Sequence, residues 1–170
     1  GRTRTLPAPG APVNQLRMAF VSCQHYETGF FTAYRHMLED DLDLVFHLGD
    51  YIYEYEGRDG RARKHTGDEI ELLRDYRNRH ALYKLDPDLQ AAHARFPFVV
   101  TWDDHEVDNN YAADLSEEEG FPAELFLRRR AEAYQAYFEH MPLRRSSFPT
   151  GPRMQLYRQF AYGDLASFFV

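Results

Sequence analysis

The chain has a single cysteine, Cys23, among its 170 residues, so no disulfide can form within it and thiol usage says nothing about its compartment. It has no apolar run near the ~20 residues that a bilayer span requires. Behind Gly1-Arg2-Thr3-Arg4 there is no apolar stretch of the kind a signal peptide carries. Basic clustering is sparse: Arg128-Arg129-Arg130 is the longest run, and 20 Lys plus Arg face 27 Asp plus Glu for a formal charge of −7. That balance argues against a nucleic-acid-binding surface and against capture by a membrane, since both need a concentrated positive face. Internal repeats and low-complexity tracts are missing as well, which removes solenoids and arrays. What is present is core material. Apolar residues make up 44% of the chain, with 13 Phe and 12 Tyr beside one Trp, enough for one folded domain.

Residues 1–15, with three prolines and no apolar period, read as an extended linker leading in from a preceding domain. The domain proper begins near Leu16. Three short apolar segments, 17–22, 42–48 and 96–101, read as buried strands. Between them lie amphipathic stretches over 29–39 and 69–83 and a short helix after Asp86, where an N-cap precedes Pro87. Asp68 is placed to cap the second of these helices. Phe121-Pro122 opens a further helix to about His140, a proline-punctuated loop covers 141–153, and 155–162 with 165–170 form a hairpin about Gly163-Asp164. Strand, helix, strand, helices, strand is the rhythm of a parallel α/β sheet. The ending, Phe168-Phe169-Val170, is an apolar strand without a polar cap, which suggests a polypeptide cut from something longer.

Each core strand runs directly into a polar cluster: Ser22-Cys23-Gln24-His25, then His47-Leu48-Gly49-Asp50-Tyr51, then Asp103-Asp104-His105-Glu106. Ligands in an open parallel sheet bind beyond the carboxyl ends of strands, so the clusters should converge. Carboxylate and phenolate oxygens suit hard cations such as Fe(III), Mn or Ca, whereas a thiolate is softer and favours Fe or Zn, so the mixture suggests more than one metal. Taken singly, Cys23 reads more readily as a small buried hydrophobe, Asp50 as a turn cap and Tyr53 as a packed aromatic. The Asp103–Glu106 cluster resists such a reading, because three carboxylates around a histidine repel one another unless a cation neutralises them.

The segments Phe20-Val21-Ser22-Cys23-Gln24, His47-Leu48-Gly49-Asp50-Tyr51-Ile52-Tyr53-Glu54, Tyr76-Arg77 and Thr101-Trp102-Asp103-Asp104-His105-Glu106-Val107 with Asn109-Asn110 resemble the PhoD-type alkaline phosphatases of the calcineurin-like metallophosphoesterase superfamily. Residues 1–10 resemble the exit from the β domain that precedes the catalytic domain in that family. The resemblance implies an α/β fold that is part of a double β-sheet sandwich flanked by helices. It also implies metal-dependent hydrolysis of phosphate mono- and diesters by a secreted or periplasmic enzyme acting on a small phosphate-ester substrate. Its cofactors would be Fe(III) and Ca(II), ahead of Zn or Mn. By motif position, Cys23, Asp50 and Tyr53 would hold iron, with Asp50 bridging to calcium and Asp104 a calcium ligand or bridge. Asp103 and Asn109 would be further members of the shell. His105 would steady the phosphoryl oxygens or the leaving group, and Arg63, ten residues past Tyr53, is a candidate phosphate clamp or a solvated loop arginine.

In that family the hairpin is followed by a strand bearing an aspartate and later by a histidine motif, which are not among these residues. Residues 16–170 are therefore expected to be the N-terminal half of a catalytic domain, truncated before its second sheet, with the remainder required in cis or in trans. Two rivals stand beside this reading. One is a non-catalytic domain or assembly half that needs a second chain. The other is a zinc hydrolase built on Cys23 and His105.

Overall fold

The computed structural model describes residues 5–170. Three strands, β1 (Met18–Val21), β2 (Leu44–His47) and β3 (Phe98–Val100), form a parallel sheet in the order β1-β2-β3. The register sets Val21 beside His47 and His47 beside Val100. All three strands therefore end at one level, and the residues that follow leave the sheet in a single row. The central strand is buried along its whole length, as a parallel strand covered on both faces must be.

Alternation divides that strand between two cores. Val45 joins Val100, Tyr51 and the buried side chains of the helices, while Leu44 and Phe46 pack on the other face against Phe160, Tyr162 and Phe168. The helical face is built from α1 (Thr32–Met37), α2 (Leu73–Lys84), α3 (Pro87–Arg95) and α4 (Ala123–His140). Here α2 packs on α4 and α1 on α3. The opposite face is closed by an antiparallel hairpin, β4 (Gln159–Tyr162) with β5 (Ala166–Phe169). Each buried Phe or Leu in these layers contributes roughly 1.5–3 kcal/mol relative to exposure.

The helix signals divide into one that holds and one that does not. Asp86 caps α3, accepting from the backbone N–H of Asp88 at 3.0 Å and of Leu89 at 3.1 Å, an arrangement worth about 1 kcal/mol. Asp68 caps nothing: α2 starts at Leu73, and the Leu73 N–H is taken by Glu132 of α4 at 2.5 Å. A carboxylate from a neighbouring helix satisfies the orphan donor, so the local one is not needed.

The lead-in expected over 1–15 holds no helix or strand where it is described, but turns at Gly10, with residues 1–4 lying outside the described residues. It is not a free tether. Gly10 N–H donates to Gly163 O at 3.2 Å, Asp164 N–H to Ala11 O at 2.9 Å, and Val13 N–H to Asp164 Oδ1 at 2.9 Å, which pins it to the hairpin turn.

Candidate metal centre

The loops leaving β1 and β2 are stitched to each other. Cys23 N–H donates to Gly49 O and Gln24 N–H to Asp50 O, both at 3.1 Å. Cys23 and Asp50 hold left-handed backbone, with φ of 54° and 53°, at a cost on the order of 1 kcal/mol each. Between them in space sits Gly49, with φ of 110°. A Cβ there would collide with the backbone of Asp103, so only glycine lets the exits of β2 and β3 pass so closely.

Glu106 fastens the third loop to the second. Its carboxylate accepts from the backbone N–H of Asp50 at 3.1 Å, Tyr51 at 2.5 Å and Asp103 at 2.8 Å. Full burial pushes its pKa up to about 8, against the downward pull of those three N–H groups. Glu106 thus turns inward as a scaffold, and the crowd of acids expected at 103–106 is carried instead by Asp103 and Asp104 together with Asp50.

Asp50, Asp104 and His105 each present one ligand atom within 4.8 Å of the others. Asp50 Oδ2 accepts from the Tyr53 phenol at 3.0 Å, whereas its Oδ1 is buried with no hydrogen-bond partner. No ion pair to Asp50, Asp103 or Asp104 forms among the described residues. The electrostatics follow. A contact with the Ser22 hydroxyl pulls the Cys23 thiol down, but burial and the Asp50 and Asp103 carboxylates outweigh it and raise its pKa. Burial, then Asp50, hold the Tyr53 phenol far above its ordinary range. Asp103 is raised by burial and by the charges of Asp50 and Asp104. A buried carboxylate oxygen without a donor, close to the Asp104 carboxylate and the raised Asp103, fits a cation. Carboxylate, phenol and thiol are a donor set that suits Fe(III) with Ca(II).

His105 is held by a residue the sequence reading left out. Its Nδ1–H donates to Glu54 Oε2 at 2.8 Å, and Glu54, itself buried, also accepts from Asn109 N–H at 3.0 Å. Burial pulls the His105 pKa down, but the Glu54 carboxylate with Asp50 and Asp104 raises it overall. Buried Arg79 grips the same loop from below, donating to the carbonyls of Tyr53 and Tyr55.

Two expected members are engaged elsewhere. The Asn109 amide donates to Glu117, and it is the neighbouring Asn110 whose N–H reaches Asp104 Oδ2, at 2.7 Å. Arg63 pairs with Asp86 at 2.7 Å and donates to Tyr26 O at 2.9 Å, with its guanidinium 3.9 Å from the Tyr26 ring and 4.3 Å from that of Phe31. In this position the Arg63 guanidinium, paired with Asp86 between aromatic faces, ties the 56–64 loop to the start of α3, and its Nη2 has no hydrogen-bond partner.

The strand ends thus gather Cys, Asp, Tyr and His side chains at one edge of a parallel sheet, an arrangement that suits a hydrolase site. The chain belongs to the PhoD-like phosphatase family, whose profile matches residues 18–170. It is 62% identical over 175 residues to alkaline phosphatase D of Bacillus subtilis (strain 168), a match that takes in 100% of this chain and 30% of that protein. A solved structure of PhoD superposes with a TM-score of 0.93 at 62% identity, covering 97% of this chain and 32% of that one. The chain thus spans about a third of the length of the relatives it matches.

Proposed function

We propose that this chain is the metal-binding part of a phosphoesterase that hydrolyses phosphate mono- and diesters with water. The observation that carries the reading is the partnerless, buried Oδ1 of Asp50 among the converging groups of Asp104 and His105. Cys23, Asp50 and Tyr53 would hold Fe(III), and Asp50 with Asp104 would hold Ca(II), with Asp103 at the rim. Such ions supply Lewis acidity that lowers the pKa of water and offsets charge on the phosphoryl group.

The protein's own part is positioning and proton transfer. Gly49 and Glu106 hold the β2 and β3 exits together, so that the Asp50 and Asp104 carboxylates face each other. Glu54 fixes the His105 ring through Nδ1 and favours its protonated form, whose Nε2–H would give its proton to the leaving oxygen as the phosphorus–oxygen bond breaks and leave the ring neutral.

The second sheet of the sandwich and the remaining ligands would come from the rest of a protein of the relatives' length. Phe20, 59% exposed, and Phe169, 78% exposed, are surfaces on which such a layer could settle. These exposed rings also favour a second reading, in which residues 16–170 alone are a non-catalytic half. Secretion or export of the parent protein belongs to the same proposal.

A chromogenic phosphodiester assay with metal analysis tests both readings, run on the segment alone and on a protein of the relatives' full length. Activity, iron and calcium are expected in the long form. Tyr53→Phe there should abolish the visible absorption of iron tyrosinate and most turnover, and full colour in that variant would sink the iron assignment.

A further inference from the structure

His25 has no place in the ligand set above, yet its ring is held far more firmly than a solvent-facing histidine requires. Its backbone N–H donates to Cys23 O at 3.1 Å, and its carbonyl accepts from Thr28 N at 3.2 Å and Thr28 Oγ1 at 3.0 Å. The imidazole centroid lies 4.3 Å from that of Tyr53 and 5.4 Å from that of His65. Tyr53 in turn lies 4.2 Å from the ring of His105. One phenol ring therefore touches both imidazoles.

The hydrogen bonds of the two histidines are opposite in sense. His105 donates through Nδ1–H to the Glu54 carboxylate at 2.8 Å, so its Nε2 presents a lone pair when the ring is neutral. His25 accepts at Nδ1 from the backbone N–H of Glu27 at 3.2 Å, so its neutral ring carries the hydrogen on Nε2. Glu27 cannot swing away, because its buried carboxylate takes the N–H groups of Arg58 at 2.9 Å and His65 at 2.8 Å. Its Nε2 is not among the buried unpartnered atoms and has no hydrogen-bond partner among the described residues, so the donor is open for a ligand.

We propose that His25 is a further catalytic residue of this site, a donor whose Nε2–H binds a phosphoryl oxygen of the ester while His105 handles the proton. The proposal rests on the phosphoesterase reading above and deepens it. An oriented donor to an oxygen that gains charge in the transition state acts mainly on turnover.

The test uses the metal-loaded, full-length protein. His25→Ala should lower kcat/KM for a chromogenic phosphodiester by about 10- to 100-fold, chiefly through kcat. It should keep iron content and visible colour, and weaken inhibition by inorganic phosphate. His25→Asn, which restores an N–H donor, should recover part of the loss without changing the shape of the pH profile. Undiminished turnover in His25→Ala, equal impairment of the Ala and Asn variants, or loss of iron in either would overturn the assignment.

Nitrogen NMR of the metal-free protein adds a readout independent of turnover. At neutral pH the His25 hydrogen should sit on Nε2, and the opposite tautomer refutes the proposal. If the wild-type protein cleaves no phosphoester, the parent reading falls by itself. Calorimetric binding of inorganic phosphate to wild type and His25→Ala then still decides whether Nε2–H is an oxyanion donor.

Discussion

Two polar regions of this molecule are built from the same kinds of side chain and end in opposite electrostatic states. Under α4, every nitrogen of the Arg129 guanidinium is engaged: Nε on the Tyr76 hydroxyl at 2.9 Å, Nη1 on Asp108 at 2.9 Å, and Nη2 on Glu69 at 2.8 Å and the Ile70 carbonyl at 3.0 Å. At the strand ends, Asp50 keeps a buried oxygen with no donor, beside acids whose charges oppose one another. A finished network holds a fold together, whereas an unfinished one is a demand for something from outside. The left-handed backbone at Cys23 and Asp50 lies in the second region, where ligand placement outweighs local stability.

That contrast is broken most sharply by Asp50→Asn. Asparagine tolerates the left-handed backbone at this position, so the substitution removes charge with little change of shape. In the full-length protein it should reduce phosphodiester turnover by about 1000-fold or more, the scale of losing a group that sets the geometry of the reacting centre. In the metal-free protein it should leave Tm unchanged or slightly higher, because a mutual repulsion has gone. A clear fall in metal-free Tm would show that Asp50 is a structural residue after all.

Arg129→Met should behave in the reverse way. Removing one member of a buried, hydrogen-bonded network leaves Asp108 uncompensated and costs about 3–5 kcal/mol. Denaturant unfolding should register that loss, while the iron colour of whatever remains folded is unchanged. A variant as stable as wild type would erase the distinction between the two regions.

The three strands, the helix after Asp86, the long helix before His140 and the meeting of the strand-end clusters were legible in the sequence. Period, capping chemistry and strand-end position are local signals, and local signals survive folding. What was not legible depends on partners remote in the chain. Arg63 finds Asp86 across 23 positions, and Leu73 takes its cap from Glu132 across 59. Glu106 turns away from its own cluster because donors 55 and 56 residues earlier await it. Glu54 and Glu106 close the motifs that hold Asp50 and Asp104, and their role as holders was the one signal those motifs offered and the residue-type reading passed over.

Glu54→Gln probes the border between the two regions, since this carboxylate is itself satisfied while serving the unsatisfied side. The amide can still accept from Asn109 N–H or from His105, but it no longer balances a charged imidazole. Turnover is expected to fall about 100-fold, within the range for a group that orients a proton-transfer histidine, with iron retained. Loss of iron together with activity would move Glu54 into the ligand set.

The smallest effect expected is one of pH on the metal-free protein, where buried histidines and the acidic strand-end rim pull in opposite directions. Burial holds His93 and His65 down to about 4 and His47 to about 3, below the value near 6.5 of an exposed imidazole. As pH falls below about 6.5 the unfolded chain takes up protons that the folded chain refuses, so this contribution to stability is complete above 6.5 and drains away toward 4. Asp103 has the other sign: its folded pKa is raised, so its contribution is present in acid and is lost as pH climbs past the ordinary carboxylate range. The histidine window lies higher and involves more groups, and Tm should therefore drop by several degrees between pH 6.5 and 4.5. Calcium added at pH 7.5 should raise Tm by relieving the rim alone, and it should lose that effect in Asp50→Asn while keeping the acid slope intact. A calcium response that survives Asp50→Asn would mean that the ion binds elsewhere, and that the unfinished network is not what recruits it.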